Sequence, residues 1–378
     1  MEGYPSMQLI GDIEGKNCIL RVDFNVPIQN GVIVDDFRIK QSLKTIEFLR
    51  KKRAKVIIVS HIENEEGASL KPVADYLQKK MPVHFIVSDN LSDIKAGVDA
   101  SSSDELIILE NIRRFSEEKE NVPEFSMHLS KLGHLYVNEA FSVSHRRHAS
   151  IVGVPSFLPA YFGFNFMKEV ENLSSAFHPD RPFLFILGGA KFQTKAPLIK
   201  KFLEKSDDVF VGGALANDFI KEKGLNVGRS LTSEELPSKE IIDNKKIIFP
   251  IDVVVHKSDG ERKTVLINEI EDGDIVSDIG DRTIEMLRRY IGKASMILWN
   301  GPLGFYEYGF DFGTKEVAKA VSKNEGRTIV GGGDTVALIQ KMKIEDDFTF
   351  VSTAGGAMLD FLSNETLPGI EAILNKTK

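Results

Sequence analysis

The chain has 378 residues, 42% of them hydrophobic and 27% charged, with 48 basic against 55 acidic side chains and a net charge of −7. This length predicts two domains, and the acidic balance argues against a general nucleic-acid or anionic-membrane surface. Cys18 is the one cysteine, which excludes an intramolecular disulfide and a cysteine metal cluster. A reducing interior such as the cytosol is expected, and the N-terminal residues lack the pattern of a signal peptide.

Strands and helices are predicted to alternate along the first part of the chain. Apolar runs rich in β-branched residues predict strands at residues 18–26, 55–60, 83–87, 105–109 and 134–137. Apolar residues at helical spacing predict helices at residues 36–52, 70–80 and 122–132. This alternation is typical of parallel strands that are joined by crossover helices.

Residues 149–167 carry no charged side chain and need a separate interpretation. Pro155, Pro159 and Gly163 interrupt this stretch, which favours a buried connector between domains over a membrane-spanning helix. A helix is predicted to follow at residues 168–177. This helix is the candidate for a hinge between two domains.

The alternation resumes in the second part of the chain. Further strands are predicted at residues 183–187, 208–211, 246–255, 264–267, 294–299, 328–330 and 348–351. Further helices are predicted at residues 197–204, 215–223 and 283–291, and helical spacing restarts at Val336. The predicted fold class is α/β, with two Rossmann-like parallel-sheet domains joined by a hinge helix. The first domain is predicted at residues 1–165, and the hinge helix with the second domain at residues 166–366.

Polar side chains follow the predicted strands of the first domain, where open parallel sheets bind their ligands. Several guanidinium groups that converge from separate loops imply a small polyanionic ligand, because their donors match carboxylate and phosphate oxygens. A single arginine is more often a solvated surface charge, but repetition at strand ends weakens that alternative. The side chains in these positions are Asp23, Asn25, His61, Asn111, Arg113, Arg114, His145, Arg146, Arg147 and His148, with Arg38 near the start of the first helix.

Glycine turns follow the predicted strands of the second domain at residues 188–189, 212–213, 300–302, 331–334 and 353–356. Glycine lets the backbone approach a ligand closely, and a helix that starts after such a turn favours a phosphate. Lys191 and Lys195 can address one phosphate chain, and Asp334 can hold a divalent cation against it. A nucleoside triphosphate with Mg²⁺ is the expected ligand. For 331–334 alone, a tight turn with a capping aspartate is an equal alternative.

Several common motifs are absent from the sequence. No complete P-loop, dinucleotide fingerprint, zinc-protease motif or serine-hydrolase elbow occurs. His145 and His148 are better explained as hydrogen-bonded loop residues or phosphate contacts than as a zinc site.

Taken together, these motifs resemble those of the phosphoglycerate kinase family, and the resemblance covers nearly the whole chain. The segments that carry it are Arg21-Val22-Asp23-Phe24-Asn25-Val26-Pro27, Leu109-Glu110-Asn111-Ile112-Arg113, His145-Arg146-Arg147-His148, Gly188-Gly189-Ala190-Lys191, Trp299-Asn300-Gly301-Pro302-Leu303-Gly304, Gly331-Gly332-Gly333-Asp334-Thr335 and Ser352-Thr353-Ala354-Gly355-Gly356. The resemblance implies reversible glycolytic phosphoryl transfer between 1,3-bisphosphoglycerate with MgADP and 3-phosphoglycerate with MgATP. It also implies a cytoplasmic monomer whose C-terminal segment, from about residue 367 to 378, returns to the first domain.

The resemblance assigns a role to individual residues in both domains. The implied phosphoglycerate contacts are Asp23, Asn25, Arg38, His61, Arg113 and Arg146. The implied nucleotide contacts are Lys191, Lys195, Gly212, Gly213, Asn300, Glu307, Gly332, Gly333, Asp334 and Thr335, with Glu307 on the ribose. Asp334 is the implied Mg²⁺ ligand. The implied catalytic groups are Arg38, Lys191, Gly333 and Gly356.

The sequence departs from the family pattern after His61, where members usually carry Ser-His-Leu-Gly-Arg-Pro. Here Asn64 stands in place of the expected substrate-binding arginine, among the carboxylates Glu63, Glu65 and Glu66. Losing one charge-assisted contact costs about 1.5–3 kcal/mol. We hypothesise that an extra arginine in a neighbouring motif, Arg114 or Arg147, replaces the missing charge. Smaller departures near the nucleotide are Thr194, Ala214 and Ala354.

Three other functions compete with the kinase interpretation. A binding protein with a regulatory role would keep the fold without turnover, and a different small-molecule kinase would keep the clamp with another acceptor. A Rossmann-type dehydrogenase would require the glycine fingerprint that this sequence lacks. The kinase interpretation ranks above all three because the arginines, lysines and Asp334 are retained together.

Overall fold

The structure, a computed structural model, describes residues 3–63, 68–257 and 260–375 and divides into two compact units. The first unit ends at Glu171 and takes in the segment from Asn364 onward, and the second unit is Asn172–Ser363. The sequence predicts the boundary after residue 165 and the returning segment from about residue 367. The observed boundary falls inside one continuous helix, Phe164–Ser174.

A six-stranded parallel sheet forms the centre of the first unit. The strands of the sheet are Asn17–Arg21 (β1), Lys55–Val59 (β4), Val83–Ile86 (β5), Leu106–Leu109 (β6), Leu135–Asn138 (β7) and Ala160–Phe162 (β8). Two further strands, Ile28–Gln29 (β2) and Val32–Ile33 (β3), form a separate antiparallel hairpin. The order is β5-β6-β4-β1-β7-β8, so β1 and β4 lie in the interior of the sheet. Their side chains are buried on both faces, which explains why these strands read as continuous apolar runs.

Helices are the second component of this unit. The helices are Phe37–Lys51 (α1), Lys71–Gln78 (α2), Leu91–Ala100 (α3), Ser116–Glu120 (α4), Pro123–Ser130 (α5) and Phe164–Ser174 (α6). In α1, the buried Ile39, Ile46 and Leu49 recur at helical spacing and join the core under β1. The side chain of Asn90 caps α3 by accepting a hydrogen bond from the Ser92 N–H at 2.7 Å.

The second unit contains another six-stranded parallel sheet and a three-stranded antiparallel sheet. Its strands are Phe183–Leu187 (β9), Asp208–Val211 (β10), Ile247–Ile248 (β11), Asp252–His256 (β12), Arg262–Leu266 (β13), Ile275–Ile279 (β14), Met296–Asn300 (β15), Arg327–Gly331 (β16) and Phe350–Val351 (β17). The parallel sheet has the order β11-β10-β9-β15-β16-β17, and Trp299 on β15 is completely buried in its core.

The helices of the second unit follow the same alternation. They are Phe192–Lys205 (α7), Ala214–Glu222 (α8), Lys239–Ile242 (α9), Asp281–Lys293 (α10), Phe312–Val321 (α11), Gly333–Met342 (α12) and Gly356–Asn364 (α13), and Pro368–Leu374 (α14) follows in the returning segment. Helix α14 belongs to the first unit, where the Gly369 N–H donates to the Ser144 carbonyl at 2.9 Å.

The structure corrects three of the predicted elements. Residues 149–162 are not a connector, because β8 pairs with β7 inside the sheet of the first unit. The run predicted as strand at residues 246–255 is split around Pro250 into β11 and β12. Strands β12 and β13 are antiparallel rather than parallel, and β14, which was not predicted, pairs antiparallel with β12. In the described parts of the chain, every helix is too short or too polar to cross a lipid bilayer.

Two leucines of the first unit provide a matched test of this core. Leu20 on β1 is 0% exposed, whereas Leu9 is 69% exposed. Leu20→Ala is expected to lower the free energy of unfolding by about 2–5 kcal/mol, because it leaves a cavity in a close-packed core. Leu9→Ala is expected to change it by less than about 0.5 kcal/mol. Urea unfolding followed by circular dichroism measures both values, and equal losses in the two variants would contradict the assigned core.

Candidate active site

Four neighbouring strands of the first unit end beside one another, since the sheet order places β6, β4, β1 and β7 in succession. Asp23 follows β1, His61 follows β4, Arg113 follows β6 and Arg146 follows β7. The parallel arrangement brings these four chain segments, which are far apart in sequence, to the same edge of the sheet.

The buried carboxylate of Asp23 connects three other predicted substrate contacts. It accepts hydrogen bonds from Arg38 Nη1, from Ser142 Oγ at 2.5 Å and from the Asn25 backbone N–H at 3.0 Å. His61 Nδ1 lies 4.0 Å from its Oδ1 atom. Burial raises the pKa of Asp23, but the Arg38 guanidinium and the hydrogen bonds outweigh burial and lower this pKa to about 2. Asp23 therefore stays ionised and fixes the position of Arg38.

A second carboxylate, that of Glu63, connects the remaining predicted contacts. Glu63 Oε1 accepts hydrogen bonds from Arg113 Nη1 and from Arg146 Nη1, the latter at 2.5 Å. The Glu63 backbone N–H donates to Asn25 Oδ1 at 3.0 Å. Burial raises the pKa of Glu63, but its hydrogen bonds to the two guanidinium groups outweigh burial and lower this pKa to about 2. The structure thus brings all six predicted substrate contacts together, around two carboxylates.

Three buried nitrogen atoms of this cluster have no hydrogen-bond partner among the described residues: Arg113 Nε, Arg113 Nη2 and His61 Nε2. Arg21 Nη2 lies 3.3 Å from His61 Nδ1. Because arginine can only donate, Nδ1 accepts and the proton of the ring is on Nε2. Burial, and then the charge of Arg21, lower the pKa of His61 to about 3, so the ring is neutral at pH 7. All three nitrogen atoms are therefore donors, and an anionic ligand would satisfy them.

The two extra arginines make contacts elsewhere in the first unit. Arg114 Nη2 lies 2.8 Å from Asp89 Oδ1. Arg147 is largely exposed, and its Nη2 atom is 4.0 Å from a carboxylate oxygen of Glu371. These contacts give no support to the hypothesis that Arg114 or Arg147 replaces a missing charge. Asn64, on which that hypothesis depends, lies outside the described residues.

In the second unit, glycine turns end three neighbouring strands, β10, β9 and β15. A Cβ atom on Gly213 would lie 2.7 Å from the backbone nitrogen of Gly189, and one on Gly301 would lie 2.7 Å from the Gly188 carbonyl oxygen. The φ angle of Gly213 is +63°, which also favours glycine. The three turns therefore pack backbone against backbone, and larger side chains are excluded from this edge of the sheet.

Lys191 and Lys195 lie at the start of α7, next to the turn that ends β9. Lys195 is buried, and its Nζ atom donates to the Gly188 carbonyl. Burial lowers the pKa of Lys195 to about 8. Lys191 is exposed and has a left-handed backbone with φ of 65°, a conformation that is uncommon outside glycine and is found at functional sites. Contact of either lysine with a phosphate chain stays a prediction.

Helices α12 and α13 begin at Gly333 and Gly356, after the neighbouring strands β16 and β17. The first backbone N–H groups of a helix lack intrahelical partners and attract anions, which is the basis of the catalytic role predicted for these glycines. Asp334 is exposed in the first turn of α12. Thr335 is completely buried, and its Oγ1 atom has no partner within the described part of the chain.

The predicted metal site depends on the carboxylate of Asp334. Within residues 3–63, 68–257 and 260–375, no group of three or more histidine, cysteine, aspartate or glutamate side chains is arranged to hold a metal ion. Mg²⁺ in nucleotide sites needs only one or two carboxylates, because phosphate oxygens and water complete its shell. An exposed carboxylate at a helix N-terminus beside glycine turns fits that requirement.

A cavity with about 860 Å³ of empty space, part of it open to solvent, lies within the second unit. Of the predicted nucleotide contacts, Gly213, Glu307 and Asp334 line it. Its largely apolar wall, which was not predicted from the sequence, is contributed in part by the β-branched residues of β14. The main members of that wall are Leu231, Pro250, Val253, Ile275, Ile279 and Tyr306. A concave apolar wall with a polar rim suits the base and ribose of a nucleotide.

Other predicted nucleotide contacts are not part of the cavity wall. Gly212 is buried, and a Cβ atom on it would lie 2.7 Å from Leu303. Asn300 is also buried, with Nδ2 3.5 Å from the sulfur of Met358. Their direct contact with a nucleotide stays a prediction. The predicted contacts outside the wall are Lys191, Lys195, Gly212, Asn300, Gly332, Gly333 and Thr335.

Asp278 is a buried carboxyl group in the cavity wall that the sequence analysis did not single out. It accepts hydrogen bonds from the backbone N–H groups of Ile279 and Gly313, each at 2.9 Å. Burial nevertheless raises the pKa of Asp278 to about 7. The cavity therefore contains a carboxyl group that changes its charge close to neutral pH.

An arginine cluster at the end of one parallel sheet and a glycine-lined cavity at the end of another define an α/β phosphotransferase with two anionic substrates. The chain matches the family model described as phosphoglycerate kinase over residues 8–365. Phosphoglycerate kinases from Leptospira biflexa and Finegoldia magna are 41% and 42% identical to it, covering 97% and 96% of this chain and 97% of each relative. The structure of phosphoglycerate kinase from Coxiella burnetii matches with a TM-score of 0.83 at 33% identity, over 99% of this chain and 100% of that one. The chain belongs to the phosphoglycerate kinase family.

Family membership confirms the predicted fold class and activity. The protein catalyses reversible phosphoryl transfer between 1,3-bisphosphoglycerate with ADP and 3-phosphoglycerate with ATP, and Mg²⁺ is its cofactor. The alternatives of a regulatory binding protein, a different kinase and a dehydrogenase are not favoured.

The raised pKa of Asp278 predicts how stability changes with pH. Between the ordinary value of 3.8 and about 7, the folded protein holds a proton that the unfolded chain releases. The stability contributed by this group therefore falls as pH rises through that window. Asp278→Asn removes this loss, so wild type is expected to lose more stability than the variant from about pH 5 to about pH 8.

Urea midpoints at the two pH values measure the difference. Asp346→Asn, a change at an exposed aspartate of the same unit, is the control and is expected to follow wild type. Parallel pH profiles for wild type and Asp278→Asn would contradict the assignment.

Proposed function

We propose that the first unit binds the phosphoglycerate and the second unit binds the nucleotide. The observation that carries this assignment is the set of unpartnered buried donors on Arg113 and His61. Arg113 is only 5% exposed, so water cannot fully satisfy its guanidinium, and an anion is the ligand that would. Arg38, held by Asp23, and Arg146 add two partly exposed cations to the same cluster. Together they match the several negative charges of a phosphoglycerate.

The second unit supplies groups suited to a nucleotide phosphate chain. Lys191 and Lys195 stand beside the turn after β9, and the helix N-termini at Gly333 and Gly356 provide backbone donors. Asp334 would hold Mg²⁺, which neutralises phosphate charge when the nucleotide is bound. Glu307 lines the cavity and is the proposed ribose contact.

The chemistry requires no general base. The carboxylate of 3-phosphoglycerate is already ionised at pH 7, so one of its oxygens forms the new bond to the γ-phosphorus of ATP. The bond from that phosphorus to the bridging oxygen breaks, and ADP leaves with the electron pair. Charge spreads over the equatorial oxygens, where Arg38, Lys191 and the N–H groups of Gly333 and Gly356 are the proposed stabilising donors.

The proposal places the enzyme in the cytoplasm as a monomer. A single buried cysteine, Cys18, is consistent with a reducing compartment.

The activity test is ADP formation from MgATP by the purified protein, with and without 3-phosphoglycerate. We expect turnover that depends on 3-phosphoglycerate, since its carboxylate is the nucleophile. The sample without 3-phosphoglycerate is the control, because water is then the acceptor. Equal ADP formation in both samples would be hydrolysis and would contradict phosphoryl transfer to the 3-phosphoglycerate carboxylate. MgATP binding without turnover would favour the regulatory binding protein.

Neighbouring arginines provide a matched test of the substrate site. Arg113→Ala is expected to raise the KM for 3-phosphoglycerate by about 10- to 100-fold, the effect of losing a charge-assisted contact. Arg114→Ala removes the same charge one residue away, from a side chain that pairs with Asp89, and is expected to leave this KM within about twofold of wild type. Equal effects of the two substitutions would contradict the site, and a large effect of Arg114→Ala alone would revive the compensation hypothesis.

A further inference from the structure

The carboxylate of Glu63 occupies the arginines that are proposed to bind the substrate anion. Its Oε1 atom accepts from Arg113, 50 residues away in sequence, and from Arg146, 83 residues away. Each of these arginines comes from a loop beyond a different strand, β6 for one and β7 for the other. A single carboxylate oxygen thus receives a donor from both loops, as an oxygen of a bound phosphate or carboxylate would.

The position of Glu63 allows it to leave these arginines. Its side chain is 40% exposed, whereas that of Arg113 is 5% exposed. The backbone of Glu63 is held independently, through the hydrogen bond from its N–H to Asn25 Oδ1 at 3.0 Å. Rotation of the side chain toward solvent would therefore free both guanidinium groups without breaking that backbone contact.

Glu63 does not satisfy Arg113 completely. The Nε and Nη2 atoms of Arg113 stay without partners among the described residues while Nη1 is bonded to Glu63. A ligand with two separate anionic groups, such as a phosphate and a carboxylate, can use the remaining donors as well as those it takes from Glu63. A single small anion such as sulfate reaches fewer of these donors at once and competes less well with a carboxylate that is already in place.

We propose that Glu63 is an internal competitor for the phosphoglycerate anion and determines both affinity and selectivity at this site. The substrate displaces the Glu63 carboxylate from Arg113 and Arg146, and the displaced side chain turns to solvent. This inference rests on the proposed function. It makes substrate affinity lower than the arginines alone would give, and it disfavours simple inorganic anions.

The alternative role for Glu63 is to position the two arginines for the substrate. The two roles predict opposite signs for a substitution that removes the charge. A competitor weakens substrate binding, so its removal strengthens binding, whereas a positioning residue strengthens binding, so its removal weakens it.

Glu63→Gln is the decisive variant, because glutamine keeps the size and one acceptor oxygen but removes the charge. We expect the Kd and the KM for 3-phosphoglycerate to fall by about fivefold, as removal of a partly exposed ion pair allows. The KM for MgATP is expected to stay within about twofold of wild type. Inhibition by inorganic sulfate is expected to strengthen, because the arginines become accessible to it. Titration calorimetry and steady-state kinetics provide these values.

Glu120→Gln is the matched control, since it removes one negative charge from an exposed side chain of the same unit. It is expected to reproduce wild-type binding, which separates a local effect from a change in net charge. Circular dichroism of both variants confirms that they are folded.

Unchanged or weaker 3-phosphoglycerate binding by Glu63→Gln overturns the inference and leaves the proposed function intact if wild type turns over. Tighter binding by Glu120→Gln to the same extent also overturns it. Failure of wild type to bind or phosphorylate 3-phosphoglycerate instead overturns the proposed function, unless Glu63→Gln restores binding, which would support competition by Glu63.

Discussion

The cluster of predicted substrate contacts in the first unit depends on a guanidinium group that is completely buried, that of Arg21. Arg21, at the end of β1, donates from Nε to Ser150 Oγ at 2.8 Å, and Ser150 in turn donates to Glu118 at 2.6 Å. A buried charge is tolerated only when it is paired and hydrogen-bonded, so Arg21, Ser150 and Glu118 form a necessary unit. Arg21 also donates to His61 and thereby determines which nitrogen of that ring carries the proton. A buried structural interaction thus defines a donor of the proposed binding site.

The second unit reaches a comparable result with backbone groups rather than side chains. Glycine turns and helix N-termini present N–H donors at the carboxyl edge of its parallel sheet, and the mutual packing of the turns holds them in place. The paired N–H donors of arginine side chains suit the phosphoglycerate, which is small and highly charged. Backbone donors and an apolar wall suit a nucleotide, whose base and ribose need contacts of a different kind.

The sequence predicted well those features that are local in the chain. The strand predicted at residues 55–60 is β4, Lys55–Val59, because a fully buried parallel strand is a continuous apolar run. Helix α3 was missed because Gly97 and its few apolar residues weaken the helical pattern. The antiparallel pairing of β12 with β13 was missed because strand direction is determined by pairing across the sheet, which the apolar pattern does not record.

The candidate site shows the same limit. Resemblance to the family named the arginines, and the structure brings them together. The resemblance could not show that Glu63 joins Arg113 and Arg146, because these arginines are 50 and 83 residues away from Glu63 in the sequence. Nor could sequence reveal the tautomer of His61, which follows from the burial of Arg21 beside it.

The most direct test of the central claim is a crystal structure of the protein with 3-phosphoglycerate bound. The account predicts ligand oxygens within hydrogen-bond distance of Arg113 Nε or Nη2 and of His61 Nε2, the buried donors that lack partners among the described residues. A bound phosphoglycerate that contacts neither residue would contradict it.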